Sequence, residues 1–181
     1  MSLVKGLSPA HPPATDRGAL RSVLGRFATG VTVVAAGADE PQGMTANSFT
    51  SVSIDPPLIL ICVNRNASIH RTVLESGAFA VSVLSARQEH LARYFADHSR
   101  PRGYDEFGMV EWSPAPSTGA PVLDGALAWL DCTLAACYDG GDHVIFLGSV
   151  QASGFGSAHD ILLFFAGSFH QPELAKPRGS S

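Results

Sequence analysis

The chain has 181 residues, of which 45% are hydrophobic and only 15% are charged. This length predicts a single domain, and so apolar a composition excludes disorder for the bulk of the chain. The formal net charge of −4 lacks the basic excess needed to follow a phosphate backbone, which argues against a nucleic-acid partner. A domain that is rich in apolar residues and poor in charge often buries additional surface against a second subunit.

The cysteines and histidines form no recognisable disulfide or metal pattern. The three cysteines are odd in number and include no CxxC pair, and the seven histidines show no ligand spacing, so we expect no disulfide and no metal. The longest apolar run falls short of the roughly 18 residues of a membrane span. The N-terminal stretch is polar and rich in proline, unlike a secretory signal, so we expect a cytoplasmic protein with no membrane partner.

The two ends of the chain differ in composition from the rest. Residues 1–15 and 172–181 are rich in Pro, Ser and basic residues without periodicity, which predicts a disordered N-terminal arm and a disordered C-terminal tail. The predicted domain therefore spans residues 16–171.

The first predicted elements are a helix and two strands. Asp16 is an N-cap for a helix whose apolar residues recur with helical period, and we expect this helix to pack on the core and to end before Gly30. The β-branched run Val31–Ala36, a turn-rich stretch and then Met44–Ser53 predict strand, turn, strand.

The later elements follow from apolar runs, turn residues and capping signals. The first of them are a buried strand Leu58–Val63, a helix from Asn66 or Ser68 to about Glu75, and a strand Phe79–Leu84. The capping box of Ser85 and Gln88 then opens a helix that ends near Ala96, and a loop-like stretch follows over 97–118. Two long strands, Ala126–Tyr138 and His143–Phe155, are joined by a hairpin turn over Asp139–Asp142, and the last strand is Ile161–Phe165.

This order of elements predicts the fold class. Six or seven strands accompany only three helices, without the regular alternation of strand and helix that a doubly wound sheet requires. The sequence therefore predicts a mainly β protein, a β-barrel with peripheral helices. The chain contains no internal repeat.

Several catalytic motifs are absent from the sequence. GxGxxG after a strand, GxxxxGK[ST], GxSxG and HExxH do not occur. We therefore expect the chemistry of any reaction to come from a bound cofactor.

The segment Gly43–Pro57 is the most informative part of the chain. Small hydrogen-bonding residues alternate there with apolar ones, so a strand would present many hydroxyl groups and one amide on a single face. Such a face could bind the polar edge of a flat heterocycle and a ribityl chain. Ser and Thr at ordinary β propensity on a solvent-exposed strand would give the same pattern, and periodicity alone leaves both interpretations open.

Five separated segments together resemble the short-chain flavin reductase family, the reductase components of two-component flavin monooxygenases. They are FATGVTVV (27–34), GMTANSFTSVSIDPPLILICV (43–63), FAVSVLS (79–85), GGDHVIFLGSV (140–150) and LLFFAGSFHQ (162–171). The resemblance extends from about residue 20 to residue 171 in the same order.

This resemblance implies a fold, an activity and partners. The implied fold is a split β-barrel of the FMN-binding type, usually a homodimer. The implied enzyme is an NAD(P)H:flavin oxidoreductase that reduces FAD, or FMN, with NADH, or NADPH, and supplies reduced flavin to a partner monooxygenase. FAD is favoured over FMN by the resemblance, and NADH over NADPH because no arginine pair for a 2′-phosphate is evident.

The resemblance also implies site residues. His143, in the GDH motif, would lie near the nicotinamide, although a histidine after a hairpin is by itself an ordinary turn residue. A helix start at Ala67 and Ser68 independently offers backbone N–H groups for a phosphate, or Ser68 is a plain cap. The implied cofactor-binding residues are Thr45, Ala46, Asn47, Ser48, Ser51, Val52, Ser53, Cys62, Val63, Ala67, Ser68 and Phe169, the last of which is equally well a core or interface aromatic.

The chain departs from the family in its last strand segment. Relatives often carry a basic residue where this chain has Ala166 and Ser168. Residues 100–119 are either a lid over the adenine side of FAD or only a loop. Possible replacements for the missing charge, each also readable as a solvated surface residue, are Arg65, Arg71, Arg93, Arg100 and Arg102.

Two other functions remain open from the sequence. A flavin-binding electron carrier or sensor could use the same barrel without NADH turnover. A pyridoxamine phosphate oxidase-like enzyme would share the architecture but should direct more arginines at its cofactor phosphate.

Overall fold

The computed structural model describes residues 16–173. The predicted N-terminal arm and the predicted tail from residue 174 onward lie outside the described residues. The helices are α1 (Arg17–Leu24), α2 (Ser68–Ser76), α3 (Glu89–Ala96) and α4 (Tyr104–Phe107). The strands are β1 (Thr29–Gly30), β2 (Thr32–Ala36), β3 (Gln42–Ala46), β4 (Phe49–Ser53), β5 (Leu58–Asn64), β6 (Ala78–Val83), β7 (Trp112–Pro114), β8 (Pro121–Leu123), β9 (Ala128–Gly140), β10 (His143–Phe155), β11 (Leu163–Phe165) and β12 (Ser168–His170).

A seven-stranded antiparallel sheet dominates the fold, in the order β3-β2-β6-β9-β10-β5-β4. Its two edge strands, β3 and β4, are consecutive in sequence, so Asn47 and Ser48 alone carry the chain from one edge to the other. The sheet must therefore curl until its edges approach, yet β3 and β4 do not pair. This is an open, or split, barrel, and the prediction of a mainly β barrel with peripheral helices is confirmed.

The prediction of one continuous strand over Met44–Ser53 is wrong, because this stretch forms two strands, β3 and β4. The segment Gly43–Pro57, which we call the polar segment, breaks at Asn47 because its first half pairs with β2 and its second half pairs with β5. The Thr32 hydroxyl group donates a hydrogen bond of 2.7 Å to the carbonyl oxygen of Ala46 and fixes the end of β3. The residues before and after the break therefore face different parts of the molecule.

Two small sheets extend the barrel. One has the order β1-β11-β12, and the other pairs β7 with β8. The stretch 97–118, expected to be a loop, contains α4 and β7, and strand β12 was not expected either. These elements have only three or four residues each, which is too short for a periodic pattern to indicate them.

The core has two main parts. Inside the barrel, Ile61, Phe79 and Phe146 pack fully buried with residues of α2. On the other side of β2, Phe95 of α3 packs with Phe107 and neighbouring apolar residues. Because β2 contributes to both clusters, all five of its residues are buried.

The helices confirm some capping predictions and correct one packing prediction. Asp16 caps α1 and accepts a hydrogen bond from the Gly18 amide, and the Ser85–Gln88 capping box precedes α3. However, α1 ends at Leu24 and has no buried residue, so it does not pack on the core as expected. Its apolar side chains are exposed, 68% for Val23 and 79% for the following Phe27.

Among residues 16–173, no helix is both long enough and apolar enough to cross a membrane.

Candidate functional site

A cavity of about 200 Å³ lies between strand β3, the start of α2 and the segment that follows α3. We call it the arginine cavity, because Arg100 and Arg102 line it together with Thr45, Ala67 and Ser68. The structure therefore brings three of the predicted cofactor-binding residues to one place, although they lie on separate elements.

The N-terminus of α2 opens into this cavity. Ala67 occupies the N-cap position and cannot cap with its side chain, so Ser68 is the first helical residue and not a cap. The first amide groups of a helix have no partner within it, and here no side chain replaces one. Together with the positive end of the helix dipole, these N–H groups favour an anionic ligand.

Arg100 and Glu106 form a buried ion pair at the edge of the arginine cavity. Arg100 Nε lies 2.8 Å from Glu106 Oε1, and the two side chains are 10% and 0% exposed. The interpretation of Arg100 as a solvated surface charge is therefore wrong. Burial raises the pKa of the Glu106 carboxyl group, and the hydrogen bond from Arg100 acts in the opposite direction.

The start of the GMTAN segment is held tightly against this pair. The Gly43 amide donates a hydrogen bond of 3.0 Å to Glu106 Oε1, and the Gly43 carbonyl oxygen accepts one from Arg100 Nη2. A Cβ atom on Gly43 would lie 2.6 Å from the ring of Phe95, so only glycine fits between this ring and the pair. The Thr45 hydroxyl group donates a hydrogen bond of 2.7 Å to the Ala92 carbonyl oxygen, which attaches β3 to α3.

A second cavity of about 490 Å³ lies beyond the break between β3 and β4. We call it the α1 groove, because it begins at Phe27, immediately after α1, and is also lined by Thr29, Asn47, Phe49 and Ser51. The Thr29 hydroxyl oxygen is buried there and has no hydrogen-bond partner within residues 16–173. The groove thus combines aromatic rings with a few neutral polar groups.

The remaining residues of the polar segment support the wall between the two cavities. The Ser48 hydroxyl group donates a hydrogen bond of 2.9 Å to the Cys62 carbonyl oxygen and accepts one of 3.2 Å from the Cys62 amide. These two bonds attach the connection between β3 and β4 to β5. Ala46 and Val63 are buried in the barrel core, so only their backbone groups can reach a ligand.

Cys62, Val52 and Ser53 contribute less directly. Burial raises the pKa of the Cys62 thiol, which keeps it protonated. Val52 lies at a register shift between Ser51 and Ser53 and is 47% exposed, and Ser53 is half-buried. Neither Val52 nor Ser53 lines either cavity.

His143 begins β10 directly opposite Asn64, a residue of the arginine cavity. Its Nδ1 lies 2.7 Å from Asp142 Oδ1, and this hydrogen bond lowers the pKa of the Asp142 carboxyl group. Arg65 holds the hairpin turn in place by donating from Nε to the Gly141 carbonyl oxygen and from Nη2 to Asp139, each at 2.9 Å. Within residues 16–173, Nε2 of His143 has no hydrogen-bond partner.

Phe169 lies elsewhere, on the small sheet beside α3. Its ring packs against Phe164 with centroids 5.4 Å apart, and the Arg93 guanidinium group lies 5.0 Å from the ring centroid. Neither of these neighbours lines the arginine cavity or the α1 groove. A third cavity, of about 540 Å³ near the start of α3, contains none of the predicted residues.

Sequence reasoning missed Glu106, Phe27 and Thr29. Glu106 carries no local signal, because its burial depends on a loop folding back onto β3. Phe27 lay within a segment used for the family resemblance but was assigned to a core-packing helix. Within residues 16–173, no cluster of three or more metal-ligating side chains is present.

An open antiparallel barrel with a basic cavity at a helix N-terminus, next to a groove of aromatic and neutral polar groups, defines a cofactor-binding split barrel. The family model described as "Flavin reductase like domain" matches residues 24–173. The chain belongs to the flavin reductase-like family.

Several relatives and solved structures are similar over most of their length. An NADH-dependent FAD reductase of Streptomyces globisporus is 52% identical over 165 residues, which cover 88% of this chain and 91% of the relative. The structure of an NADH:FAD oxidoreductase of the same organism, in complex with NAD and FAD fragments, has a TM-score of 0.82 at 49% identity and covers 91% of this chain and 96% of that one. The flavin reductase component of a bacterial two-component tryptophan halogenase has a TM-score of 0.83 at 48% identity, covering 86% and 98%.

Proposed function

We propose that this protein is an NADH-dependent flavin reductase, which transfers a hydride from NADH to FAD, or to FMN, and supplies the reduced flavin to a separate monooxygenase. The observation that carries the proposal is the pair of neighbouring cavities divided by the GMTAN segment, one basic and the other aromatic. Such a pair suits a ligand that has an anionic end and a flat ring system. The names of the relatives, which state NADH dependence and FAD, support the same substrates.

In this proposal the arginine cavity binds the flavin phosphate. The amide group of Ser68 and the nearby arginines supply hydrogen-bond donors and positive charge. The Ala67 amide already donates a hydrogen bond of 3.0 Å to the Asn64 carbonyl oxygen, so Ala67 contributes by its position at the helix start. Thr45 contributes chiefly by position, because its hydroxyl group already bonds to α3.

The isoalloxazine ring and the ribityl chain would follow the polar segment into the α1 groove. Asn47 and Ser51 line the groove and offer neutral donors and acceptors to the ring edge. Ser48 and Cys62 keep the crossing rigid, while Ala46, Val63, Val52 and Ser53 shape the wall through backbone and packing.

A bound flavin supplies the redox chemistry by accepting the hydride, so the protein needs no nucleophile of its own. The protein must stack the two rings within about 3 to 3.5 Å and keep water away. His143 would contact the nicotinamide nucleotide through Nε2, since Asp142 holds Nδ1. Phe169 would close the nicotinamide side only if that nucleotide extends toward the small sheet.

Steady-state kinetics with FAD or FMN and with NADH or NADPH test the proposal in four combinations. We expect flavin-dependent oxidation of the nicotinamide, with a preference for FAD and NADH. The alternative, an electron carrier or sensor, predicts flavin binding without flavin-dependent NADH oxidation. No observation in the structure favours it.

A homodimer forms part of the proposal. The apolar side chains of α1 are exposed in the single chain, and Phe27 joins them to the rim of the α1 groove. Contiguous apolar surface of this kind is ordinarily buried against a partner, and a second copy would cover it and complete the groove. Light scattering should give twice the mass of one chain, and a monodisperse monomer would contradict this part.

We also propose a cytoplasmic location, because the reaction consumes NADH and the three cysteines are free thiols. Fractionation of cells expressing the native protein would test it.

A further inference from the structure

The buried pair of Arg100 and Glu106 is bonded more elaborately than an ion pair that only joins two segments. Arg100 donates from Nε to Glu106 Oε1 at 2.8 Å, from Nη1 to the Asp97 carbonyl oxygen at 2.6 Å, and from Nη2 to the Gly43 carbonyl oxygen. Glu106 Oε1 also accepts from the Gly43 amide at 3.0 Å. The pair is thus hydrogen-bonded to both the amide and the carbonyl group of Gly43, the first residue of the polar segment.

Stability alone does not account for this arrangement. Glu106 Oε2 is buried and has no hydrogen-bond partner within residues 16–173. An unsatisfied carboxylate oxygen and the desolvation of two charges both cost free energy, and a buried ion pair is often no more stable than apolar residues of the same size. An arrangement that carries such costs calls for a contribution other than stability.

The guanidinium group retains donors that the protein does not use. Arginine has five N–H groups, and three of them are engaged within the described chain, which leaves one N–H on each terminal nitrogen. Arg100 lines the same cavity as the uncapped N-terminus of α2, formed by Ala67 and Ser68. Two parallel N–H groups of one guanidinium group match the geometry of a phosphate.

We infer that Glu106 is a positioning residue that fixes Arg100 so that its two unused N–H groups bind a flavin phosphate. The inference rests on the proposed function and assigns recognition of the flavin phosphate to this pair. Arg102 lines the cavity as well, but it is exposed and has no comparable brace. Arg100 is therefore the residue that recognises the phosphate, and Glu106 acts through it.

Comparison of riboflavin, which lacks a phosphate, with FMN and FAD tests this inference. Dissociation constants are measured by quenching of flavin fluorescence on the purified full chain, beside KM and kcat for each flavin. The variants are Arg100→Lys, Glu106→Ala and Glu106→Gln. Arg71→Lys and Glu75→Ala are matched controls, because this pair is exposed on α2, at 2.6 Å, and lines neither cavity.

We expect Arg100→Lys and Glu106→Ala to weaken the binding of FMN and FAD roughly ten-fold, since a charge-assisted hydrogen bond is lost, while riboflavin binding changes less than about two-fold. Glu106→Gln keeps an oxygen acceptor for Arg100 and for the Gly43 amide, so it should restore most of the loss. The controls should bind all three flavins as the native protein does.

Equal losses for riboflavin, FMN and FAD would show that the pair is only a structural brace and would overturn the inference, as would unchanged binding of all three. If Glu106→Ala does not fold, Arg100→Lys and Glu106→Gln still decide the question, because riboflavin binding reports an intact site. Native protein that binds flavins but does not oxidise NADH would refute the reductase while leaving the phosphate test valid.

Discussion

The arginine cavity and the α1 groove differ in how completely one chain builds them. In the arginine cavity, the side chain of Glu106 is fully buried and that of Arg100 is nearly so. Gly43 is hydrogen-bonded to this pair through both its amide and its carbonyl group. The α1 groove is bordered by Phe27, which is 79% exposed, and contains a Thr29 hydroxyl group without a partner in the described residues. In the proposed function, one chain preorganises the phosphate end of the site, whereas the ring end requires the proposed second copy.

The largest expected effect is on the stability of the braced cavity. Phe95→Ala removes a ring that packs 5.2 Å from Phe107 and touches Gly43, and it should lower the free energy of unfolding by about 3–5 kcal/mol. Urea denaturation measures this. Phe155→Ala is the matched control, because Phe155 is 95% exposed. Similar losses for the two variants would show that the cavity wall is not preorganised by packing.

The next effect concerns assembly at the α1 groove. Changing both Val23 and Leu24 to Asp places charges on the exposed apolar face of α1, so we expect the dimer to dissociate and reductase turnover to fall with it. Light scattering and NADH oxidation at several protein concentrations measure both. Ser22→Asp, on the opposite side of the helix, should leave the mass unchanged. A stable dimer in the double variant would place the interface elsewhere.

A smaller effect separates ligand contact from structural support within the polar segment. Asn47→Ala should weaken flavin binding about ten-fold with little change in stability, because one hydrogen-bonding group of the groove is lost. Ser48→Ala should instead cost about 1 kcal/mol of stability, because it breaks the two bonds to Cys62. Flavin titration and thermal denaturation distinguish the two, and the reverse pattern would exchange their roles.

The smallest expected effect is on the nicotinamide. His143→Ala should raise the KM for NADH by roughly three- to ten-fold, the loss of one hydrogen bond or stacking contact, without altering flavin affinity. His159→Ala is the control, since His159 lies in the third cavity. A change confined to flavin affinity would make His143 a flavin ligand.

The features that could be predicted from the sequence are those whose partners lie close together in the chain. The Asp16 cap and the Ser85–Gln88 capping box were found because their partners lie within three residues. The hairpin over Asp139–Asp142 was found for the same reason. The polar segment was interpreted from its alternation either as a binding face or as an exposed strand face, and in the structure its residues line two cavities.

The rest of the site depends on contacts between distant parts of the chain. The break at Asn47 arises because β3 and β4 pair with different strands at opposite edges of the sheet. The burial of Glu106 follows from its contact with Gly43, 63 residues away. The exposure of α1 could not be foreseen either, because its apolar period is the same whether the helix packs on its own core or on another copy.

A single turnover without oxygen shows whether the protein transfers a hydride from NADH to FAD. Protein is mixed with one equivalent of FAD and one of NADH, and the absorbance of oxidised flavin is followed. For a flavin reductase, we expect the flavin band to bleach as NADH disappears, at a rate far above that of the same mixture without protein. A flavin band that stays oxidised, with FAD demonstrably bound, would contradict this expectation and identify the protein as a flavin carrier.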